Sequence, residues 1–262
     1  MTQGSRPAAG PPARRAPAGR LAELAELGPY FAVDSHPSGS PTCPPWRPLG
    51  ELVSAPGALA ARIGDVRARL AAAAGCPAAG VEFRVAASVA QLGLCARLLS
   101  PVLGAAATGW ALPVDTAQAR WVPALGGPFR LSLPQEAEAG AGTAAALVLL
   151  AGPVRQVVEA VAGMAVSPQV LWGNVASAAN GAATMIAAAR PDLAVAAAGA
   201  AATALRYPAL ADTHRGSPGA AFRRLNCCLI YRLSPPGAAR YCGDCVLGSR
   251  PANPDAARRH AD

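Results

Sequence analysis

The sequence predicts a mainly α-helical domain of the α+β kind, with one small antiparallel β-hairpin and a cysteine-rich hairpin near its C-terminus. Three observations predict it. Apolar residues recur at helical spacing through most of residues 21–212. A stretch near 119–134 breaks that pattern with aromatics, prolines and a Gly126-Gly127-Pro128 turn. Four of the seven cysteines fall between Cys227 and Cys245. The chain has 262 residues, enough for one sizeable core.

In chain order, residues 1–20 are Ala, Gly, Pro and Arg with little else, a composition that reads as a disordered basic tail. Leu21–Phe31 reads as a short helix ending near Gly28-Pro29. Residues 34–49 are rich in Pro and Ser and read as a loop, with His36 an ordinary loop histidine and Cys43 a lone thiol. Leu59, Ile63, Val66, Leu70 and Ala74 mark a helix, and Gly75 is placed to cap it. A second helix spans Val81–Leu103 on the stripe Val85, Val89, Leu92, Ala96 and Leu99. Arg84, Ser88, Gln91 and Cys95 form a polar line beside that stripe. The line reads either as a half-exposed helix edge or as a wall of a substrate cleft.

Arg120–Val122 and Phe129–Leu133 read as the two strands of the hairpin. Thr143–Leu150 is ambiguous between a short buried strand and the start of a helix. Val154, Val157, Val158, Val161 and Met164 suggest a helix. Ser167-Pro168 restarts one, with Ser as the cap and Pro at the first position, and Pro191 ends it. Trp172 and Asn174 stand out on this Ala-rich helix, Trp172 as a core anchor and Asn174 as a group able to bond a cysteine loop or a substrate. Residues 192–207 form the last helix. The helical domain thus covers 21–212, the cysteine segment 213–250, and residues 251–262 a frayed tail.

The chemistry lies in the cysteine segment, Phe222–Gly248. An adjacent pair, Cys227 and Cys228, precedes a thirteen-residue gap and a C-x-x-C, Cys242 to Cys245. Thiolates at this density suit a soft metal, as zinc, iron or an iron–sulfur cluster. Adjacent side chains diverge in an extended strand, so the pair needs a turn to share one centre. No signal sequence is visible, and clustered thiols without secretion suggest metal or redox chemistry in a reducing cytoplasm. The longest apolar runs, Ala141–Ala151 and Leu193–Leu205, fall short of a membrane span, although peripheral membrane association stays open. The net charge is +8, and residues 215–259 carry eight arginines against two acids. That excess could serve nucleic acid. It could equally offset an anionic metal–thiolate centre, and no nucleic-acid partner is expected.

The segment resembles the C-terminal motif of the FhuF-like ferric-siderophore reductases. The matching residues are Arg224, Cys227, Cys228, Leu229, Tyr231, Arg232, Cys242, Gly243, Asp244, Cys245 and Leu247. Thinner likeness runs through residues 84–101 and the L-W-G-N-V-A-S string at 171–177. The gap between the cysteine pairs is longer than the family's, the extra residues falling in the turn-like Ser234–Ala239. The resemblance implies a [2Fe–2S] cluster on Cys227, Cys228, Cys242 and Cys245, and one-electron reduction of a ferric siderophore in the cytoplasm. Arg224, Arg232 and Arg240 would then tune the potential or steer the chelate, and Trp172 and Asn174 become possible contacts. No P-loop, G-x-S-x-G or dinucleotide fingerprint is present, so an external donor such as a ferredoxin or reductase is implied. Two alternatives use the same cysteines: an iron–sulfur carrier or redox sensor without siderophore activity, and a zinc-stabilised binding module.

Overall fold

The computed structural model describes residues 17–124, 127–135, 142–234 and 241–247. The helices are α1 (Pro17–Glu26), α2 (Glu51–Ser54), α3 (Pro56–Ala74), α4 (Phe83–Ala107), α5 (Gly142–Leu149), α6 (Arg155–Ala162), α7 (Pro168–Ala189) and α8 (Ala194–Leu205). The strands are β1 (Asp34–His36), β2 (Arg47–Pro48), β3 (Arg120–Val122), β4 (Arg130–Pro134), β5 (His214–Arg215) and β6 (Arg223–Arg224). The protein is mainly α with two small sheets, as its composition predicts.

Helix α4 is the central post, with α7 packed along it and α3, α5 and α8 around it. The α4–α7 contact is tied by Asn174 on α7, whose Nδ2 donates to Ser88 and Gln91 on α4, and by Gln91 Nε2, which donates to the Leu171 carbonyl. Gly104 lets α1 dock, because a Cβ there would meet Leu24 Cδ2 at 2.9 Å and Phe31 Cδ1 at 3.0 Å. Gly75 ends α3 in the left-handed conformation at φ 65°, its N–H bonding the carbonyls of Ala71 and Ala72. Pro168 starts α7 as expected, but the Ser167 side chain makes no capping hydrogen bond.

Three expectations need correction, and one ambiguity is resolved. Helix α1 begins at Pro17, so the last residues of the basic tail are helical; residues 1–16 and 251–262 lie outside the described residues. The loop at 34–49 contains β1 and β2, which flank the β3–β4 hairpin in the order β1-β4-β3-β2, with β1 parallel to β4. Strands of two and three residues carry no periodic signal; their partners make them. Thr143–Leu150 resolves as helix, continuing through a π-turn at Leu150–Val154 into α6. Pro153 sits inside that turn, and a proline cannot donate to the regular ladder, which the wider turn accommodates. Helical stretches therefore outrun the apolar runs of the sequence. Phe83–Ala107 and Gly142–Ala162 are both long and apolar enough to cross a membrane by length and composition. The first is the central post, with 78% of its apolar window buried.

Candidate metal centre

Strands β5 and β6 pair antiparallel, His214 with Arg224 and Arg215 with Arg223. The turn between them needs Gly216, at φ 78°, where a Cβ would lie 2.2 Å from the Ala221 carbonyl oxygen. The His214 ring stacks on Phe222 at 5.2 Å, which fixes the ribbon to the core. The chain leaves β6 into Cys227 and Cys228, then makes a turn with Leu229 at φ 70°. Ile230–Leu233 is a 3₁₀ helix, where a Tyr-Arg strand of a hairpin was expected. A left-handed residue after the cysteine pair supplies the turn that adjacent cysteines require. Of the intervening loop, residues 235–240 lie outside the described residues, and the role expected of Arg240 with them.

The second cysteine arm returns to the first. Arg224 N–H donates to the Asp244 carbonyl at 3.0 Å, and Cys245 N–H donates to the Cys242 carbonyl at 3.1 Å. Two backbone donors point at sulfur: Leu229 N–H to Cys227 Sγ at 3.3 Å, and Leu247 N–H to Cys245 Sγ at 3.2 Å. The Cys242 thiol bonds Cys228, which holds the Cys228 thiol low and pushes the Cys242 thiol up. Burial raises the Cys227 thiol, with Cys228 and Cys245 adding repulsion. Cys227 thus interacts with Cys228 and Cys245, and Cys242 with Cys228 and Cys245. Among the described residues, no three His, Cys, Asp or Glu side chains converge as they stand on one metal position.

Arg224 is the centrepiece. It is 1% exposed. Its Nη1 donates to Asn174 Oδ1 at 2.7 Å, its Nε to the Asn226 carbonyl at 2.9 Å and its Nη2 to the Val170 carbonyl at 3.2 Å. These acceptors are neutral. Burial lowers its pKa, and the nearby Cys228, Cys242, Asp244 and Cys227 oppose that effect. Gly173 makes room for it, since a Cβ there would meet Arg224 Nη2 at 2.9 Å. Asn174 orients it and in turn donates to Ser88 O, Ser88 Oγ and Gln91 Oε1 at 2.9–3.0 Å. Ser88 Oγ donates to the Cys228 carbonyl at 2.9 Å.

The polar line on α4 is thus neither an exposed edge nor a cleft wall. Ser88, Gln91 and Cys95 are fully buried, and the first two tie α4 to α7 and to the cysteine pair. Cys95 accepts from Gln91, and burial pushes its thiol up to about 12, so it is an inert core residue. Arg84 turns outward to Glu82. Trp172 pairs with Tyr207 at 5.9 Å and packs on the core, a structural position rather than a thiol contact. Arg232 is bound to Glu82 at 2.7 Å, so part of its charge is spoken for. His36 is buried and shares a 2.7 Å hydrogen bond with Ser132, while Cys43 is exposed. Sequence reasoning missed Asn180. Its Nδ2 donates to Asp244 Oδ1 at 3.2 Å and its Oδ1 accepts from Gly219 N–H at 2.7 Å, pinning the second cysteine arm and the β5–β6 turn to α7. Its spacing of six from Asn174 on an Ala-rich helix was the available signal.

By its chemistry, though not by convergence of the side chains as they stand, the donor set suits a thiolate-bound metal group. It offers four sulfurs, backbone donors aimed at two of them and a buried cation behind them, all of which favour negative charge on sulfur. No family model matches the chain, and no curated protein matches it either.

Proposed function

We propose that the protein is a ferric-chelate reductase of the FhuF-like kind, holding a [2Fe–2S] cluster on Cys227, Cys228, Cys242 and Cys245. The observation that supports this reading is the buried Arg224 set beside Cys227, Cys228 and Cys242, with the Cys242–Cys245 arm bonded back to the Arg224 backbone through the Asp244 carbonyl. The resemblance of the cysteine segment supplies the choice of cluster and substrate. When bound, such a cluster supplies one-electron transfer.

The chain's own residues prepare the site. Arg224 stabilises extra negative charge on the sulfurs, and its neutral partners Asn174, Asn226 and Val170 hold it there without cancelling it. Leu229 and Leu247 N–H groups do the same at single sulfurs. Ser88 fixes the Cys228 backbone and Asn180 fixes the second arm. The substrate's ferric ion is hard and tightly held by chelating oxygens. One electron from an external low-potential donor protein converts it to ferrous iron, which those oxygens hold far less tightly.

The test is the visible spectrum of anaerobically purified protein, with iron, sulfide and zinc assayed on the same sample. A coloured protein with equal iron and sulfide, lost in Cys242→Ser, and whose bleached reduced form regains the oxidised spectrum when a ferric siderophore is added, is expected. A colourless protein holding zinc after anaerobic reconstitution overturns the reading in favour of the zinc module. A coloured protein that is inert toward ferric chelates reassigns it as a carrier or sensor.

A further inference from the structure

A groove of about 360 Å³ lies between α4 and α7 and reaches the cysteine segment. That volume falls within the range of small-molecule sites, about 300–1,000 Å³. The lining positions run from Val89 to Ser100 on α4 and from Ser177 to Met185 on α7. At the helical rise, those spans are about 16 Å and about 12 Å. The space is therefore a slot, longer than it is wide. Its walls are mostly apolar and small, with Gly93, Ala96, Gly181 and Ala182 among them.

Two features show that the slot is left open by the sequence. A Cβ built at Gly93 or at Gly181 meets nothing within 4 Å, so neither glycine is there to let another element approach. The Ser177 hydroxyl, on the lining, is buried and has no hydrogen-bond partner among the described residues. The chemistry changes sharply at one end, where Arg224, Cys242 and Asp244 line the same space. A guanidinium has five N–H donors. Arg224 spends three hydrogen bonds on Asn174, Asn226 and Val170, so donor capacity remains for a ligand.

Resting on the reductase reading above, we infer that this slot takes the straight aliphatic chain of an amphiphilic ferric chelate. The chelate's oxygen-rich head sits at the Arg224 and Cys242 end. The apolar walls favour the chain over a polar substituent. Arg224 supplies N–H donors for the head's oxygens, beside the Asp244 carboxylate, which Asn180 Nδ2 holds. Seating the chain along α4 and α7 would bring the head to a candidate cluster ligand, Cys242, whatever the detailed form of the chelate. A free fatty acid shares this chemistry, and the test separates the two.

Gallium(III) complexes replace iron so that binding is read without electron transfer. Calorimetry compares gallium acetohydroxamate, gallium octanohydroxamate and octanoate alone on the wild-type chain and on Gly181→Leu and Gly93→Leu. The octano complex should bind wild type about tenfold or more tighter than the aceto complex, since each buried methylene adds apolar contact. Octanoate alone should bind more weakly than its gallium counterpart. Both variants should keep the wild-type circular dichroism, bind the aceto complex unchanged and lose the preference for the longer chain. Absence of a chain-length preference in wild type overturns the inference. So does a folded variant that retains the preference, or octanoate that binds as tightly as the gallium complex. Iron and sulfide assays on the same preparations report separately on the reductase reading, so its failure cannot be mistaken for failure of the slot.

Discussion

Replacing Arg224 with Met tests the central feature of the site. The substitution keeps the apolar stem and removes the guanidinium. Asn174 Oδ1 then loses its donor in a buried position, which costs about 1–3 kcal/mol. The Asn226 and Val170 carbonyls are partly exposed and can turn to water, so each loses about 0.5–1.5 kcal/mol. The direct loss is roughly 2–6 kcal/mol. That is a large part of the about 5–15 kcal/mol that stabilises a typical domain. In the metal-loaded protein a further loss follows, because the cation opposite the thiolates is gone. Urea unfolding of loaded and metal-stripped protein separates the two parts. Arg97→Met is the control. Arg97 is also buried and donates to backbone oxygens of Phe129, Tyr30 and Ala32, but it faces Asp34 and Tyr30 rather than thiols. Arg97→Met should destabilise loaded and stripped protein equally. Arg224→Met should destabilise the loaded protein more and lower its metal content. A loaded Arg224→Met protein with the wild-type midpoint and full metal content refutes the electrostatic role given to this residue.

Other outcomes follow from single contacts. Gly173→Val should cost about 1–3 kcal/mol by overpacking and weaken metal retention, because its Cβ is forced onto Arg224 Nη2. Gly181→Ala, which meets nothing within 4 Å, should instead raise the unfolding midpoint slightly, the usual gain of Ala over Gly in a helix. Burial, then the charge of Arg120, holds the His36 pKa below its ordinary value of 6.5. The unfolded chain therefore takes up the proton first. His36 contributes its stability fully above about pH 6.5 and loses it as pH falls through the lower folded value. Thermal unfolding between pH 7.5 and 5.5 should show that slope, and His36→Asn should flatten it. Glu82→Gln frees Arg232 from an exposed ion pair. It should leave the unfolding midpoint unchanged and raise the reduction potential of the loaded protein, as read by a spectroelectrochemical titration.

Elements with their own periodic signal were legible before any coordinates. Helix α3 with its Gly75 cap, the α4 stripe, the Pro168 start of α7 and the β3–β4 hairpin all follow from residue spacing. Strands β1 and β2 were not, because three and two residues gain their strand character from β4 and β3. The four cysteines were visible as a spacing, and so were Arg224 and Asn174 as unusual residues in their surroundings. What spacing could not give is their relation. Ser88 and Asn174 are 86 residues apart and Arg224 lies 50 beyond Asn174, yet the three form one hydrogen-bonded chain. The polar line on α4 misled for the same reason. Helix periodicity finds a face but not what covers it, and here α7 and the cysteine pair cover it.

On the proposed reading, the two buried arginines explain how the cysteine segment and a metal would form one folding unit. A guanidinium taken from water is costly, and hydrogen bonds to neutral oxygens restore its donors but not its charge. Arg97 has the Asp34 carboxylate nearby to compensate. Arg224 has Asp244, whose carboxylate is itself held by Asn180, and otherwise depends on Cys228, Cys242 and Cys227. While those thiols are protonated, the charge on Arg224 is poorly balanced. When they bind a metal group as thiolates, the balance is restored. On that reading metal binding would stabilise the docking of β5–β6 and both cysteine arms onto α4 and α7, and that docking would in turn hold the cation where the thiolates need it. The glycine at 173, the asparagine at 174 and the buried serine at 88 serve this coupling from positions that touch no sulfur.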